Sequence, residues 1–210
     1  LPVLGAYGKD WPINCRKSEA IIKQQQAYLH RIQTADGSFD FGFIAVQCGD
    51  QVGSSAAGLF LLSTDNPDDS AAAGRYARYL NRDFAEHGVP GSTWPLGHMG
   101  IFLAEYYLKT GDKVALAPLT AICKAAAEWQ FNGGYGHGPG AAPKYSLGGQ
   151  MSLPSLMILT ARILARECNV DVDEASFRSS LHHFSRFIGA DGASYGDQRG
   201  DGGCSNGKDG

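Results

Sequence analysis

Apolar residues along this chain follow two distinct habits. Ile21, Ile22, Gln25, Leu29 and Ile32 return at helical spacing, with Arg16, Lys17, Glu19 and Lys23 on the opposite side, which predicts an amphipathic helix with one wet face. The same pattern recurs in Ala73, Tyr76, Ala77, Leu80 and Phe84, in Leu116, Leu119, Ile122, Ala126 and Trp129, and in Phe177, Leu181, Phe184 and Ile188. Between these stretches lie segments 52–62, 96–108 and 151–165, apolar around most of their circumference and rich in Gly, Ala and Ser. They predict buried helices that neighbours approach closely. Four outer and three inner helices then alternate. The expected fold is all-α, an α/α toroid: an incomplete ring of helical hairpins, about seven helices in all.

The connections agree. Asn66-Pro67-Asp68-Asp69 and Thr110-Gly111-Asp112 are short links that stop one helix and start the next, so Asp68-Asp69 reads as a helix start. The outer-to-inner links are longer and carry Gly with an aromatic: Asp36-Gly37-Ser38-Phe39, Pro90-Gly91-Ser92-Thr93-Trp94, Gly133-Gly134-Tyr135-Gly136-His137-Gly138 and Asp191-Gly192-Ala193-Ser194-Tyr195-Gly196. These cores stand roughly 40 to 60 residues apart, as helical hairpin units do. Alternation places all long loops at one end of the ring. Function in rigid scaffolds concentrates on such loops, so a site is expected at that mouth.

With 210 residues and 43% hydrophobic content the chain can bury a substantial core. Residues 1–14 read as an extended linker, 15–199 as the toroid domain, and 200–210 as a Gly-rich polar tail or the start of a missing hairpin. No apolar run reaches the ~18 residues of a membrane span, and the chain opens without a secretion signal. A net charge of −3 and the lack of a basic run argue against nucleic-acid binding. Cys123 and Cys168 fall in helical stretches and read as buried thiols, whereas Cys15, Cys48 and Cys204 are loop cysteines with several pairings open to them. No Cys or His spacing indicates a structural metal.

A resemblance rests on Leu1-Pro2-Val3-Leu4-Gly5-Ala6-Tyr7, Cys15-Arg16-Lys17-Ser18, Leu103-Ala104-Glu105-Tyr106-Tyr107 before Thr110-Gly111-Asp112, Gly136-His137-Gly138 and Tyr195-Gly196-Asp197. These segments resemble an uncharacterised bacterial family in which a PDZ-like domain precedes an α/α toroid similar to terpene cyclases and protein prenyltransferases. The resemblance implies a chain that begins just after the PDZ-like part and stops short of the full toroid. It also implies an extracytoplasmic setting, which suits paired loop cysteines. It brings no activity with it. The DxDD and DDxxD motifs of terpene cyclases are absent, and Asp201, Cys204 and His137 or His98 could imitate a prenyltransferase zinc site only by tertiary coincidence, so neither a metal nor a cofactor is expected.

Glycan chemistry is the remaining enzymatic expectation, as hydrolase or lyase. Hydrolysis needs two carboxylates flanking a bond, and elimination needs a Tyr or His base with a neutralising partner. Among the mouth-loop carboxylates most are turn residues, as in Asp36-Gly37; Asp197, between Tyr195 and Arg199, is less easily dismissed. The catalytic candidates are Asp197, His137 and Tyr135. The ligand-binding candidates are Trp94, His98, Glu105, Tyr145, Tyr195 and Arg199. His98 and Glu105 share a face of one inner helix two turns apart, as either a core pair or a cavity lining. His182-His183 on an outer helix is expected to face solvent, and His30 and His87 join no constellation. More Asp than Lys and Arg in the long loops disfavours a uronate polymer. A small-molecule or glycan ligand is expected; the alternatives are a non-catalytic protein or peptide interaction module and a degenerate cyclase-like fold.

Overall fold

A computed structural model describes residues 16–42, 50–140, 151–189, 192–195 and 208–209, with the backbone alone at 50, 189, 192–195 and 208–209. Seven α-helices carry the described chain: α1 (Arg16–Ile32), α2 (Asp50–Leu62), α3 (Pro67–His87), α4 (Thr93–Thr110), α5 (Leu116–Trp129), α6 (Ser152–Glu167) and α7 (Glu174–Ser185). Three short strands, β1 (Ile188–Gly189), β2 (Gly192–Tyr195) and β3 (Lys208–Asp209), form an antiparallel ribbon in the order β1-β2-β3. The fold class is all-α, as the periodicity predicts.

Even and odd helices form separate layers. α4 packs between α2 and α6, while α3 packs on α2 and α4, α5 on α4 and α6, α7 on α6, and α1 on α3. The inner helices come together because small residues let them. A Cβ on Gly97 would stand 2.6 Å from the Met157 Cβ and 2.7 Å from the Ile158 nitrogen, so α4 seats directly on α6. The core between the layers holds Tyr76, Leu80, Leu96, Met99, Phe102, Leu103, Leu119 and Ile122, all fully buried. Phe102 links three helices, with its ring 4.9 Å from Tyr76 of α3 and against Gly58 of α2. Burial of this kind, at about 1.5–3 kcal/mol per large side chain, is the main force holding the layers together.

Lys109, in the last turn of α4, donates to the Leu62 carbonyl at 2.6 Å and the Thr64 carbonyl at 3.2 Å at the end of α2. The two inner helices therefore run in the same direction. Their N-terminal ends lie at one end of the array, but the link into α4, residues 88–92, is as short as the inner-to-outer links, contrary to the long loop expected there.

Several local expectations change. Ile21 and Ile22 are exposed, 56% and 44%, and Leu29 is the fully buried residue of α1, so the C-terminal half of the helix carries its burial among the described residues. Leu181 and Ile188 are likewise exposed, and α7 buries Phe177, Ser180 and His183 instead. His183 is fully buried, contrary to its expected solvent position, with its ring edge-on to Phe184 at 5.1 Å and Phe187 at 5.2 Å. Asn66, not an aspartate, caps α3, accepting from the Asp68 backbone at 2.9 Å. Trp94, expected in a loop, lies in the first turn of α4.

Candidate functional site at the mouth and inner face

The loop between α5 and α6 is fixed by a repeated device. After α5, Gln130 leaves the helix in extended conformation, and its Nε2 donates to the Ser176 carbonyl and the Ser180 hydroxyl, both at 2.8 Å, on α7. Gly133 then turns with φ 86°, lying so close to the Ser179 carbonyl that no side chain fits. This turn sends Tyr135 inward and His137 outward. Tyr135 was expected at the mouth, but it is fully buried, its hydroxyl donating to the Ala126 carbonyl at 2.8 Å and its backbone N–H to the Ser155 hydroxyl at 2.9 Å. Burial holds its hydroxyl above the ordinary phenol range, against the nearby Arg162 guanidinium. It is a core residue, remote from any solvent-borne substrate.

His137 is exposed and bound to the start of α4. Its carbonyl accepts from the Thr93 N–H at 3.0 Å, and the Thr93 hydroxyl bonds Gly136. Trp94 Nε1 stands 3.0 Å from His137 Nδ1, with the rings tilted and 6.3 Å apart. An indole N–H only donates, so Nδ1 must accept and the neutral imidazole carries its proton on Nε2. One turn on, His98 Nδ1 lies 2.9 Å from the Trp94 carbonyl. A carbonyl only accepts, so His98 holds its proton on Nδ1 and keeps a lone pair on Nε2.

Trp94, His98, Ile101 and Glu105 form a single half-buried stripe along the side of α4 that faces away from the outer layer. Glu105 lines a cavity, whereas His98, half-buried on the same stripe, bonds the Trp94 carbonyl. Leu156 and Ile163 of α6, 47% and 43% exposed, continue this surface, and Leu59 and Ser63 of α2 flank it on the other side. Between α2 and α4 it deepens into a cavity of about 380 Å³ lined by Leu59, Leu62, Ser63, Ile101, Glu105 and Lys109.

Asp197, Tyr145 and Arg199 lie outside the described residues, and Tyr195 is described only as a backbone position in β2. Asp36 and Asp40 serve their own turns: Asp36 accepts from Thr34 Oγ1 at 2.5 Å and the Ser38 N–H at 3.0 Å, and Asp40 from the Gly42 N–H at 2.8 Å. The Thr34 hydroxyl and Ser38 hold the Asp36 carboxyl below its usual range. Cys123 and Cys168 are free, buried thiols, and burial pushes Cys123 up to about 12. Cys15, Cys48 and Cys204 lie outside the described residues.

Two polar clusters were not foreseen. Asp69, fully buried, accepts from Gln26 Nε2 at 2.5 Å and Thr64 Oγ1 at 2.6 Å, and lies 2.6 Å from His30 Nε2. Arg162 is fully buried as well, donating to the Tyr135 hydroxyl at 3.4 Å, the Asp173 carbonyl at 3.0 Å and the Ser176 hydroxyl at 2.5 Å. Neither cluster opens onto the mouth, and their members lie far apart in sequence, each unremarkable in its own window. No group of three or more His, Cys, Asp or Glu among the described residues could hold a metal ion, and no described helix is long and apolar enough to cross a membrane.

Seven helices packed as hairpins define an all-α domain. Within that class, the chain belongs to the family described as Domain of unknown function (DUF6288), whose model matches residues 18–210. No curated protein and no solved structure matches the chain.

Proposed function

We propose that this domain is a binding scaffold that takes an apolar ligand on the face formed by α2, α4 and α6. The observation that carries this reading is the placement of Leu156 and Ile163 in the inner layer, nearly half exposed, beside the Leu59 and Ile101 cavity. Exposed apolar side chains on an inner layer support a binding surface, and a volume of about 380 Å³ is within the range of small-molecule pockets. Catalysis draws less support. Tyr135 is sealed in the core and out of reach of a solvent-borne substrate. Trp94 beside His137 favours a second reading, a sugar ring stacked at the mouth.

Titration with the neutral apolar dye Nile red tests the first reading. The chain is expected to bind it, Leu156→Lys and Ile163→Lys to abolish binding, and Leu181→Lys, at an equally exposed leucine of the outer layer, to leave it intact. Equal effects of Leu156→Lys and Leu181→Lys would overturn the assignment.

A further inference from the structure

We infer that Asn132, in the turn after α5, is a latent modification site: water converts its side-chain amide to a carboxylate only when that turn opens, and the isoaspartate so formed keeps α5 and α7 from rejoining. Asn132 is exposed and is followed by Gly133, whose backbone nitrogen has no side chain to hinder it. The reaction begins when that nitrogen, having lost its proton to solvent base, attacks Asn132 Cγ. The bond from Cγ to Nδ2 breaks, Nδ2 takes up a proton and leaves as ammonia, and a five-membered succinimide remains. Water then opens the ring, giving aspartate by attack at the former side-chain carbonyl and isoaspartate by attack at the backbone carbonyl. One water is consumed for each ammonia released.

The folded turn blocks the first step. Asn132 and Gly133 hold φ of 47° and 86°, both left-handed, as in the type I′ turns that Asn-Gly favours. The Phe131 N–H donates to the Gly134 carbonyl at 2.9 Å and the Gly134 N–H to the Phe131 carbonyl at 3.0 Å, which closes a two-residue hairpin. In the left-handed region ψ is about +30 to +60°, so the Gly133 nitrogen stands across the Asn132 Cα–C bond from Cβ, whereas ring closure needs the two eclipsed. Rotation that far takes Gly133 off its seat, where an added Cβ would meet the Ser179 carbonyl oxygen at 2.2 Å and where its own carbonyl accepts from the Ser180 hydroxyl at 3.0 Å. Opening the turn is therefore parting α5 from α7. The aspartate product fits the same turn, since Asp-Gly also favours type I′. Isoaspartate carries the chain through Cβ, which adds a backbone bond and takes Phe131 out of register with Gly134.

The test holds the full chain at mildly alkaline pH with and without urea and follows the tryptic peptide 125–144, in which Asn132 is the sole asparagine, by mass spectrometry, with electron-transfer fragmentation separating isoaspartate from aspartate. Loss of the amide is expected to be at least about tenfold slower in the folded chain than in urea. Gln130→Ala, which removes the amide joining α5 to α7 and leaves the reacting pair intact, is expected to raise the folded rate severalfold without changing the urea rate; Ser180→Ala is expected to act in the same direction. Gly37→Ala, at the α1–α3 junction, is expected to change neither rate. After removal of urea the isoaspartate form is expected to unfold at a lower temperature than the unreacted chain, and Asn132→Asp at the same temperature. Equal rates in the folded and urea-treated chain would overturn the blocking role of the turn. Equal acceleration by Gln130→Ala and Gly37→Ala would assign the reaction to global unfolding and overturn the local opening, and an isoaspartate form as stable as the unreacted chain would overturn the parting of α5 and α7.

Discussion

Gln33 and Gln130 make the same connection at opposite ends of the described array. Each follows an outer helix and reaches the next outer helix: Gln33 Nε2 donates to the Ala72 carbonyl of α3 at 2.9 Å, and Gln130 Nε2 to the Ser176 carbonyl of α7 at 2.8 Å. Each is followed by a glycine with positive φ, Gly37 and Gly133, pressed onto the Arg75 and Ser179 carbonyls of those helices. A buried aromatic comes next, Phe39 in one case and Tyr135 in the other. At both junctions close backbone approach and an amide side chain join one outer helix to the next, and α1 and α3 are held further by Gln26 and His30 on Asp69 and by Arg75 on Gln33.

Gly37→Ala and Gly133→Ala are therefore expected to destabilise the fold by more than the ~1–2 kcal/mol that a left-handed alanine costs alone, because the new methyl also meets a backbone carbonyl. Gly111→Ala, at φ 70° with open space around it, is expected to cost only the conformational part. Urea unfolding of the three variants checks this, and equal losses would refute the stitching role.

Tyr135 separates structural from catalytic roles. Its hydroxyl satisfies Ala126 and receives Arg162, so Tyr135→Phe is expected to lower stability by about 1 kcal/mol and leave ligand affinity unchanged. A variant of normal stability with altered binding, measured by denaturation and titration side by side, would return Tyr135 to the site.

Arg162 has a charge but no carboxylate among its described partners, and its guanidinium also lies 5.6 Å from the Phe177 ring centroid. What it provides is a planar fork joining α6 to the start of α7. Arg162→Lys is accordingly expected to destabilise by about 2 kcal/mol although the charge is kept. Thermal unfolding checks it; a neutral substitution would mean that charge alone suffices.

The layers were legible in the sequence where a helix reports its own surroundings: α4 is apolar around most of its circumference, whereas α3 carries one wet face. His98 and Glu105 were legible as a shared helix face for the same reason. Contacts between distant segments left no such mark. His183 looks like its neighbour His182, and its burial comes from the approach of Gly133 and the rings of Phe184 and Phe187, with Arg186 beside its Nδ1. Tyr135 looked like the mouth aromatics, because the turn that inverts it depends on α7.

Asp69 provides the pH test. Burial opposes its charge, but the hydrogen bonds from Thr64 and Gln26 and the contact with His30 outweigh that, so its folded pKa lies below the ordinary carboxylate value. The unfolded chain, with a value of about 3.9, then binds the proton more readily. Asp69 contributes stability above that pH and loses it as the pH falls through the folded value. Asp69→Asn is expected to cost about 1–3 kcal/mol at neutral pH, with its stability curve converging on that of the unaltered chain under acid. The groups that face Asp69 are Gln26 and His30 of α1 and Thr64 before α3, so α1 should be the first element released. Amide exchange of α1 against that of α5 at pH 3 and pH 7 measures this; α1 protection that does not fall with pH would show that Asp69 does not hold it.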